Sequence, residues 1–251
     1  MPIHALYRGC SQLLDALFPA ECLSCRVGME QPHQLCDACL RQLPKQPENY
    51  CLRCGAWAVG VQQGCGNCLN ALDKSADASY FAYYYEGQIA QWAVGFKFAD
   101  HSEWSRLLGW LLWQRLQREL SWESPDLVLP VPLHPLRLIK RRYNQSALLA
   151  RVLAGFLRVP LRTDGLRRIK RTQPQTHLNA VQRAVNLRGA FRAKQSVVAG
   201  RAVLLVDDVF TTGATTGAAV RALKEAGARR VAVTCLAAVH HGETTDPASQ
   251  S

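Results

Sequence analysis

A chain of 251 residues, 48% of them hydrophobic, can bury one sizeable core and carry a small appendage. The formal net charge is +11, but sixteen Lys or Arg residues and one acid, Asp164, lie between Arg137 and Arg201, leaving fourteen basic and eighteen acidic residues elsewhere. One block therefore carries the whole excess and points to an anionic partner, while the absence of any run of about eighteen apolar residues excludes a membrane-inserted helix.

Leu13 to Ala20 is short, contains Asp15 and runs straight into cysteine, so it does not resemble a targeting signal and a cytoplasmic location is expected. Within residues 1–72, eight of the ten cysteines fall in four C-x-x-C pairs: Cys22/Cys25, Cys36/Cys39, Cys51/Cys54 and Cys65/Cys68. Adding 29 to each of the first four positions gives the second four, a twofold repeat of C-x2-C-x10-C-x2-C. A C-x-x-C turn sets two thiolates on one side of a tight knuckle, and two facing knuckles complete a tetrahedral S4 shell. Disulfides do not suit a chain without an export signal, and a redox pair has no reason to recur four times at fixed spacing. Two structural zinc ions are therefore expected. The spacing is compatible with sequential pairing of the knuckles and with interleaving.

Residues 73–251 form the expected second domain, with 73–125 a hood-like part and 126–241 the core. Tyr80 to Tyr85 reads as a strand, and Ile89 to Phe98 and Glu103 to Leu120 as helices. From Asp126 onward, apolar strands alternate with helices, the pattern of a parallel α/β sheet. Leu127 to Val131 is a short strand, Arg141 to Leu157 a helix, and Val159 to Ile169 a strand. Thr172 to Ala190 is a polar loop or arm. Ala202 to Val206 is apolar throughout, as a strand buried on both faces must be. Thr215 to Ala226 is helical and stops at Gly227, Val231 to Val239 is another buried strand, and the tail after His241 is polar and expected to be disordered.

Most informative is Val203 to Thr215, VLLVDDVFTTGAT. A buried strand brings Asp207 and Asp208 to its C-terminal edge, where open α/β sheets bind ligands. Thr211, Thr212, Gly213, Ala214 and Thr215 then open a helix whose backbone N–H groups can cradle a monophosphate. Carboxylates suit the hydroxyls of a ribose and the cradle suits its 5′-phosphate. A Walker pair would need G-x-x-x-x-G-K-[ST] elsewhere, and the chain has none.

These thirteen residues match the 5-phosphoribosyl diphosphate motif of type I phosphoribosyltransferases. Further segments resemble one subgroup, the competence protein ComF family, also called the amidophosphoribosyltransferase-like or GntX-like group. They are Val131-Pro132-Leu133 with Arg137, Arg141-Arg142-Tyr143-Asn144-Gln145, Thr172-Gln173-Pro174-Gln175, Leu178, Arg183, Asn186 and Gly189-Ala190-Phe191, together with the double cysteine repeat. The family usually has Gly where this chain has Arg142 and His177. The resemblance implies a type I phosphoribosyltransferase fold, with a parallel sheet, behind a small double zinc-ribbon segment. It also implies that Asp207 and Asp208 bind the ribose hydroxyls, and that Val209, Phe210 and Thr211 to Thr215 complete the ligand loop. Val131, Pro132, Leu133, Arg141, Asn144 and Gln145 would approach the diphosphate, and the segment with Thr172 and Gln175 would close over it.

In an active enzyme, diphosphate leaves C1 of the sugar, with Mg²⁺ bridging ligand oxygens. Asp207, Asp208 and Arg171 are the catalytic candidates, and Arg167, Arg168 and Lys170 can screen departing charge. The acceptor is not legible. The alternative is a non-catalytic 5-phosphoribosyl 1-diphosphate sensor. The basic block fits a single-stranded DNA partner of a DNA-uptake machinery, the role the resemblance implies, although its few aromatics argue against stacking.

Overall fold

The computed structural model describes residues 20–30, 34–44, 46–48, 50–53, 55, 76–98, 102–119, 124–170, 187 and 189–239. The chain divides into two compact units, 1–43 and 44–251. In the first, an antiparallel bridge between Glu21 and Gly28 closes the turn that carries Cys22 and Cys25. Helix α1 (Asp37–Arg41) begins directly after Cys36.

The second unit is built on a four-stranded parallel sheet, ordered β1 (Ala78–Tyr84), β6 (Arg230–Ala238), β5 (Ala202–Phe210) and β2 (Leu127–Pro130). β5 and β6 are the inner strands, which explains their unbroken apolar runs. Leu127, Leu129, Val203, Leu205, Val231 and Val233 share a core with Val220 and Leu223 of α7 (Ala214–Glu225) and with Val197 and Val198 of α6 (Gln195–Val198). The intervening Val128, Leu204 and Ala232 are also fully buried. Helices α3 (Ser105–Glu119) and α5 (Gln145–Leu157) pack on the sheet, and α2 (Gly87–Phe98) precedes them. A separate antiparallel pair joins β3 (Leu166–Arg168) to β4 (Phe191–Ala193).

The observed elements differ from the expected ones in three informative places. The expected helix Arg141 to Leu157 is two helices, α4 (Pro135–Arg141) and α5, because Arg142 adopts φ 64°. Pro135 starts α4 at the position where its missing N–H is harmless, and the Asn144 side chain accepts from Ser146 N at 3.1 Å to start α5. Arg142 thus occupies a conformation that glycine adopts without strain. The stretch Val159 to Ile169 supplies only β3 and a single bridge, Val128 to Leu161. Between them Asp164 gathers Arg162 at 3.0 Å and Lys194 at 3.1 Å into a turn. Finally, β5 runs on through Phe210, with Asp207 paired opposite Cys235, so both acids belong to the strand itself. The expected arm lies outside the described residues except for Leu187, Gly189 and Ala190, and the tail after His241 lies outside them entirely.

Candidate functional site

The site is assembled at the C-terminal ends of β5 and β2. Asp207 is buried, and its Oδ1 accepts from Ser146 Oγ at 2.8 Å and from Asp208 N at 2.9 Å. Burial, then the charge of Asp208, pushes its carboxyl up to about 7 against the pull of those two hydrogen bonds and of Lys97. Asp208 Oδ1 accepts from Val209 N at 2.7 Å, while Oδ2 pairs with Lys97 Nζ at 3.1 Å. Of the two adjacent acids, Asp208 bonds a cation directly, and burial makes Asp207 resist ionisation.

Beyond Phe210 the chain turns into α7 through Gly213, whose φ of 72° places it in the left-handed region. Gly213, as the N-cap, has no side chain to cap the helix; Gly217 N returns to Gly213 O at 2.7 Å, and Thr216 Oγ1 donates to Gly213 O at 3.1 Å. The first-turn N–H groups of a helix have no partner within the helix itself. Thr211 is exposed, and Thr212, Ala214 and Thr215 are half-buried around the same turn. Thr212 Oγ1 is buried and has no hydrogen-bond partner among the described residues. A hydroxyl in that state suits an oxygen-rich ligand.

The turn after β2 is tied to the acids through the backbone. Val131 N donates to Val206 O at 2.8 Å, and Val131 O accepts from Asn144 Nδ2 at 3.0 Å. Pro132 and Leu133 are half-buried beside it. Asn144 is used as a cap and a brace, and Gln145 is buried, its amide donating to Phe96 O at 3.1 Å and to Lys97 O at 3.5 Å. Tyr143 Oη donates to Phe96 O at 2.7 Å. The segment Arg141 to Gln145 therefore anchors the end of α2 to the site, and Arg141 Nη1 reaches Gln145 Oε1 at 3.5 Å. Sequence reasoning did not single out Lys97, because its partner Asp208 is remote in sequence.

Of the four basic candidates around β3, Arg168 points inward. It is buried, lies 5.5 Å over the Phe191 ring, and is pulled down to about 10 by burial and then by the charge of Arg137, with Asp207 acting the other way. Arg167 and Lys170 are exposed. Arg171, Thr172 and Gln175 lie outside the described residues.

In the first unit the Sγ atoms of Cys22, Cys25, Cys36 and Cys39 all lie within 4.8 Å of one another. Arg26, at φ 63°, turns the first knuckle, and Cys36 N donates to Cys22 Sγ at 3.4 Å. Burial raises the Cys22 thiol, but N–H groups of Cys25, Cys36 and Ser24 outweigh it and bring the group to about 6. Cys39 is pushed up to about 12: the Ser24 side chain lowers it, but burial and the neighbouring thiols prevail. Four sulfurs this close cannot all ionise without a cation among them, and an S4 set of this size fits Zn²⁺. In the second repeat, Gly55 at φ 76° stands 29 residues after Arg26, with Gly55 N bonded to Cys51 O at 2.8 Å as Arg26 N is to Cys22 O at 3.0 Å. Cys54, Cys65 and Cys68 lie outside the described residues.

Sheet, acidic strand end and cysteine knuckle together define a phosphoribosyl transferase domain that follows a zinc ribbon. Residues 143–249 match the phosphoribosyl transferase domain family, and residues 13–69 match the double zinc ribbon domain family. The chain is 32% identical to competence protein F of Haemophilus influenzae, over 88% of this chain and 97% of that one. It is likewise 32% identical to DNA utilization protein YhgH of Salmonella typhimurium, over 87% of this chain and 96% of that one. Competence protein ComFC of Bacillus subtilis is 26% identical, with 82% and 78% covered. Among solved structures, the glutamine phosphoribosylpyrophosphate amidotransferase of B. subtilis, complexed with ADP and GMP, is similar with a TM-score of 0.40 and 24% identity, over 57% of this chain and 30% of that one. The chain belongs to the competence protein F family.

Proposed function

We propose that the phosphoribosyl transferase domain binds 5-phosphoribosyl 1-diphosphate, with the ribose hydroxyls on Asp207 and Asp208 and the 5′-phosphate in the turn Thr211 to Thr215. One observation carries this reading: the acidic pair lies near the end of a strand whose next turn holds a buried hydroxyl, Thr212 Oγ1, with no hydrogen-bond partner among the described residues. Val209 and Phe210 hold the turn, and the Val131 to Leu133 turn with Arg137 and Arg168 supplies a basic rim for the diphosphate. Asp207 and Asp208 offer hard oxygen donors that would hold Mg²⁺ together with the ligand's own oxygens, although Asp208 already carries an ammonium. When bound, Mg²⁺ neutralises charge on the departing diphosphate. Calorimetric titration with 5-phosphoribosyl 1-diphosphate tests the reading. Saturable heats are expected, and none at any attainable ligand concentration would overturn it. Release of diphosphate on adding bases or amines separates an enzyme from a sensor.

A second reading concerns the partner. Arg167 and Arg192 stand directly opposite each other in the β3–β4 pair, and both are exposed. Like charges in register repel, and a phosphate chain laid across them relieves that repulsion. With the basic block around them and relatives named for competence and DNA utilization, this favours single-stranded DNA as partner, within the DNA-uptake machinery and on the cytoplasmic side. Among the described residues no helix is long and apolar enough to cross a membrane.

A further inference from the structure

We propose that Lys97 is the ligand site's built-in counter-cation: its ammonium holds Asp208 while the site is empty and donates to the diphosphate when a ribose hydroxyl takes up that carboxylate. This rests on the reading that the site takes 5-phosphoribosyl 1-diphosphate, and it adds a residue from outside the motif.

Lys97 is the penultimate residue of α2. Its backbone is fixed by two residues of the α4–α5 junction, Tyr143 donating to Phe96 O at 2.7 Å and Gln145 to Phe96 O and Lys97 O at 3.1 and 3.5 Å. The same junction braces Val131 O through Asn144. Helix end, diphosphate-side turn and acidic strand are thus held as one frame. The side chains of Lys97 and Asp208 are only 19% and 14% exposed, so their 3.1 Å contact is shielded from solvent, unlike a surface ion pair.

An ammonium has three donors. Asp208 takes one, and among the described residues no other side chain pairs with Lys97, so the others can meet an anion entering beside it. Lysine, a compact charge on a flexible stem, can follow a phosphate oxygen over a short distance as the carboxylate changes partner. Asp207 bonds no such cation among the described residues; it accepts from Ser146 Oγ and the Asp208 N–H. A divalent ion approaching the pair alone therefore meets an ammonium already in place. Lys97 should weaken the binding of free Mg²⁺ and make ligand binding less dependent on that ion.

Titration of the full-length protein with 5-phosphoribosyl 1-diphosphate, in EDTA and in saturating Mg²⁺, distinguishes the outcomes. Wild type should bind in both conditions. Lys97→Met should lose about tenfold or more in EDTA, equivalent to ~1.4 kcal/mol, and much less in Mg²⁺. Ribose 5-phosphate, which lacks the diphosphate, should bind wild type and variant nearly alike. Lys97→Gln keeps a donor for Asp208 without the charge and should show the same pattern, so it carries the test if a melting curve shows the Met variant unfolded. Equal losses with and without Mg²⁺, or no loss, overturn the role of Lys97 and leave the ligand reading standing. Failure of wild type to bind in either condition overturns both.

Discussion

The ring of Phe210 lies against the α-carbon of Gly213, so close that a side-chain carbon added at Gly213 would sit 2.7 Å from Phe210 Cζ. The same ring tip meets Gly55, where an added carbon would be 2.8 Å from it and 2.6 Å from Phe81 Cζ. Phe210 is thus wedged between the turn that follows Cys51 and the turn that opens α7. Tyr50, Phe81 and Phe210 continue this as a tilted stack, with centroids 4.7 and 4.6 Å apart. Ser79 fixes the cysteine turn to β1, its N–H donating to Leu52 O and its hydroxyl to Arg53 O at 3.0 Å.

Alanine at Gly213 is expected to be damaging for two separable reasons. The left-handed backbone costs about 1–2 kcal/mol for a residue with a β-carbon, and the collision with Phe210 adds ~1–3 kcal/mol of overpacking. Gly200 has the same φ of 72° with open space around it, so Gly200→Ala carries only the first penalty. Denaturant melts should rank Gly213→Ala well below Gly200→Ala. Ligand titration should weaken for Gly213→Ala alone. Equal destabilisation of the two would show that Phe210 does not wedge against Gly213.

Two zinc ions per chain are expected on elemental analysis of protein purified without chelator. With sequential pairing, Cys22→Ser loses one ion, from the cluster of Cys22, Cys25, Cys36 and Cys39. Cys51→Ser loses the other and, through Phe210, lowers the melting temperature of the larger unit as well. A count near zero for wild type in reducing buffer rules out both sites.

The parts of the fold most legible in sequence were those with one dominant physical cause. β5 and β6 are buried on both faces, so they could only be apolar runs. The cysteine spacing was legible because metal geometry dictates it. Arg142 hid the break between α4 and α5, since its positive φ comes without the glycine that would announce it. Asn144 and Gln145 were expected to approach the diphosphate; in the structure they also bond Ser146 N, Val131 O and Phe96 O. No periodicity shows that a polar side chain will be buried against a carbonyl of another helix. Lys97 was illegible because its partner Asp208 stands more than a hundred residues away in sequence.

If the basic block tracks a phosphate chain, binding of single-stranded DNA should weaken steeply with salt and show little base preference. Each phosphate contact contributes about 0.7 to the slope of log affinity against log salt. Arg167→Glu with Arg192→Glu should lower that slope by roughly 1–2 and leave zinc content unchanged. Both residues are exposed, so the fold tolerates the change, whereas Arg168 is buried and unsuitable for this purpose. Full affinity in the double variant would confine the role of the charge to the small ligand.

Asp207 provides the most direct link between stability and the ligand site. Its carboxyl is raised from the ordinary 3.8 to about 7, first by burial and then by Asp208. A group raised on folding contributes stability that is fully present below its unfolded value and is lost as pH rises through the folded one. Wild type should therefore lose stability between about pH 4 and pH 7 relative to Asp207→Asn, which cannot ionise. The variant keeps an oxygen that can accept from Ser146 Oγ, so it should fold, and its melting curve should depend less on pH across that window. Ligand affinity should move the other way: hydrogen bonds to a charged acceptor contribute about 1.5–3 kcal/mol each. Asp207→Asn with Asp208→Asn should thus lose on the order of a hundredfold. Thr212→Val removes one donor but leaves the backbone N–H groups, and should weaken binding less. A folded double variant that binds like wild type would show that the acids serve only the strand end, and the ligand would have to be sought elsewhere in the chain.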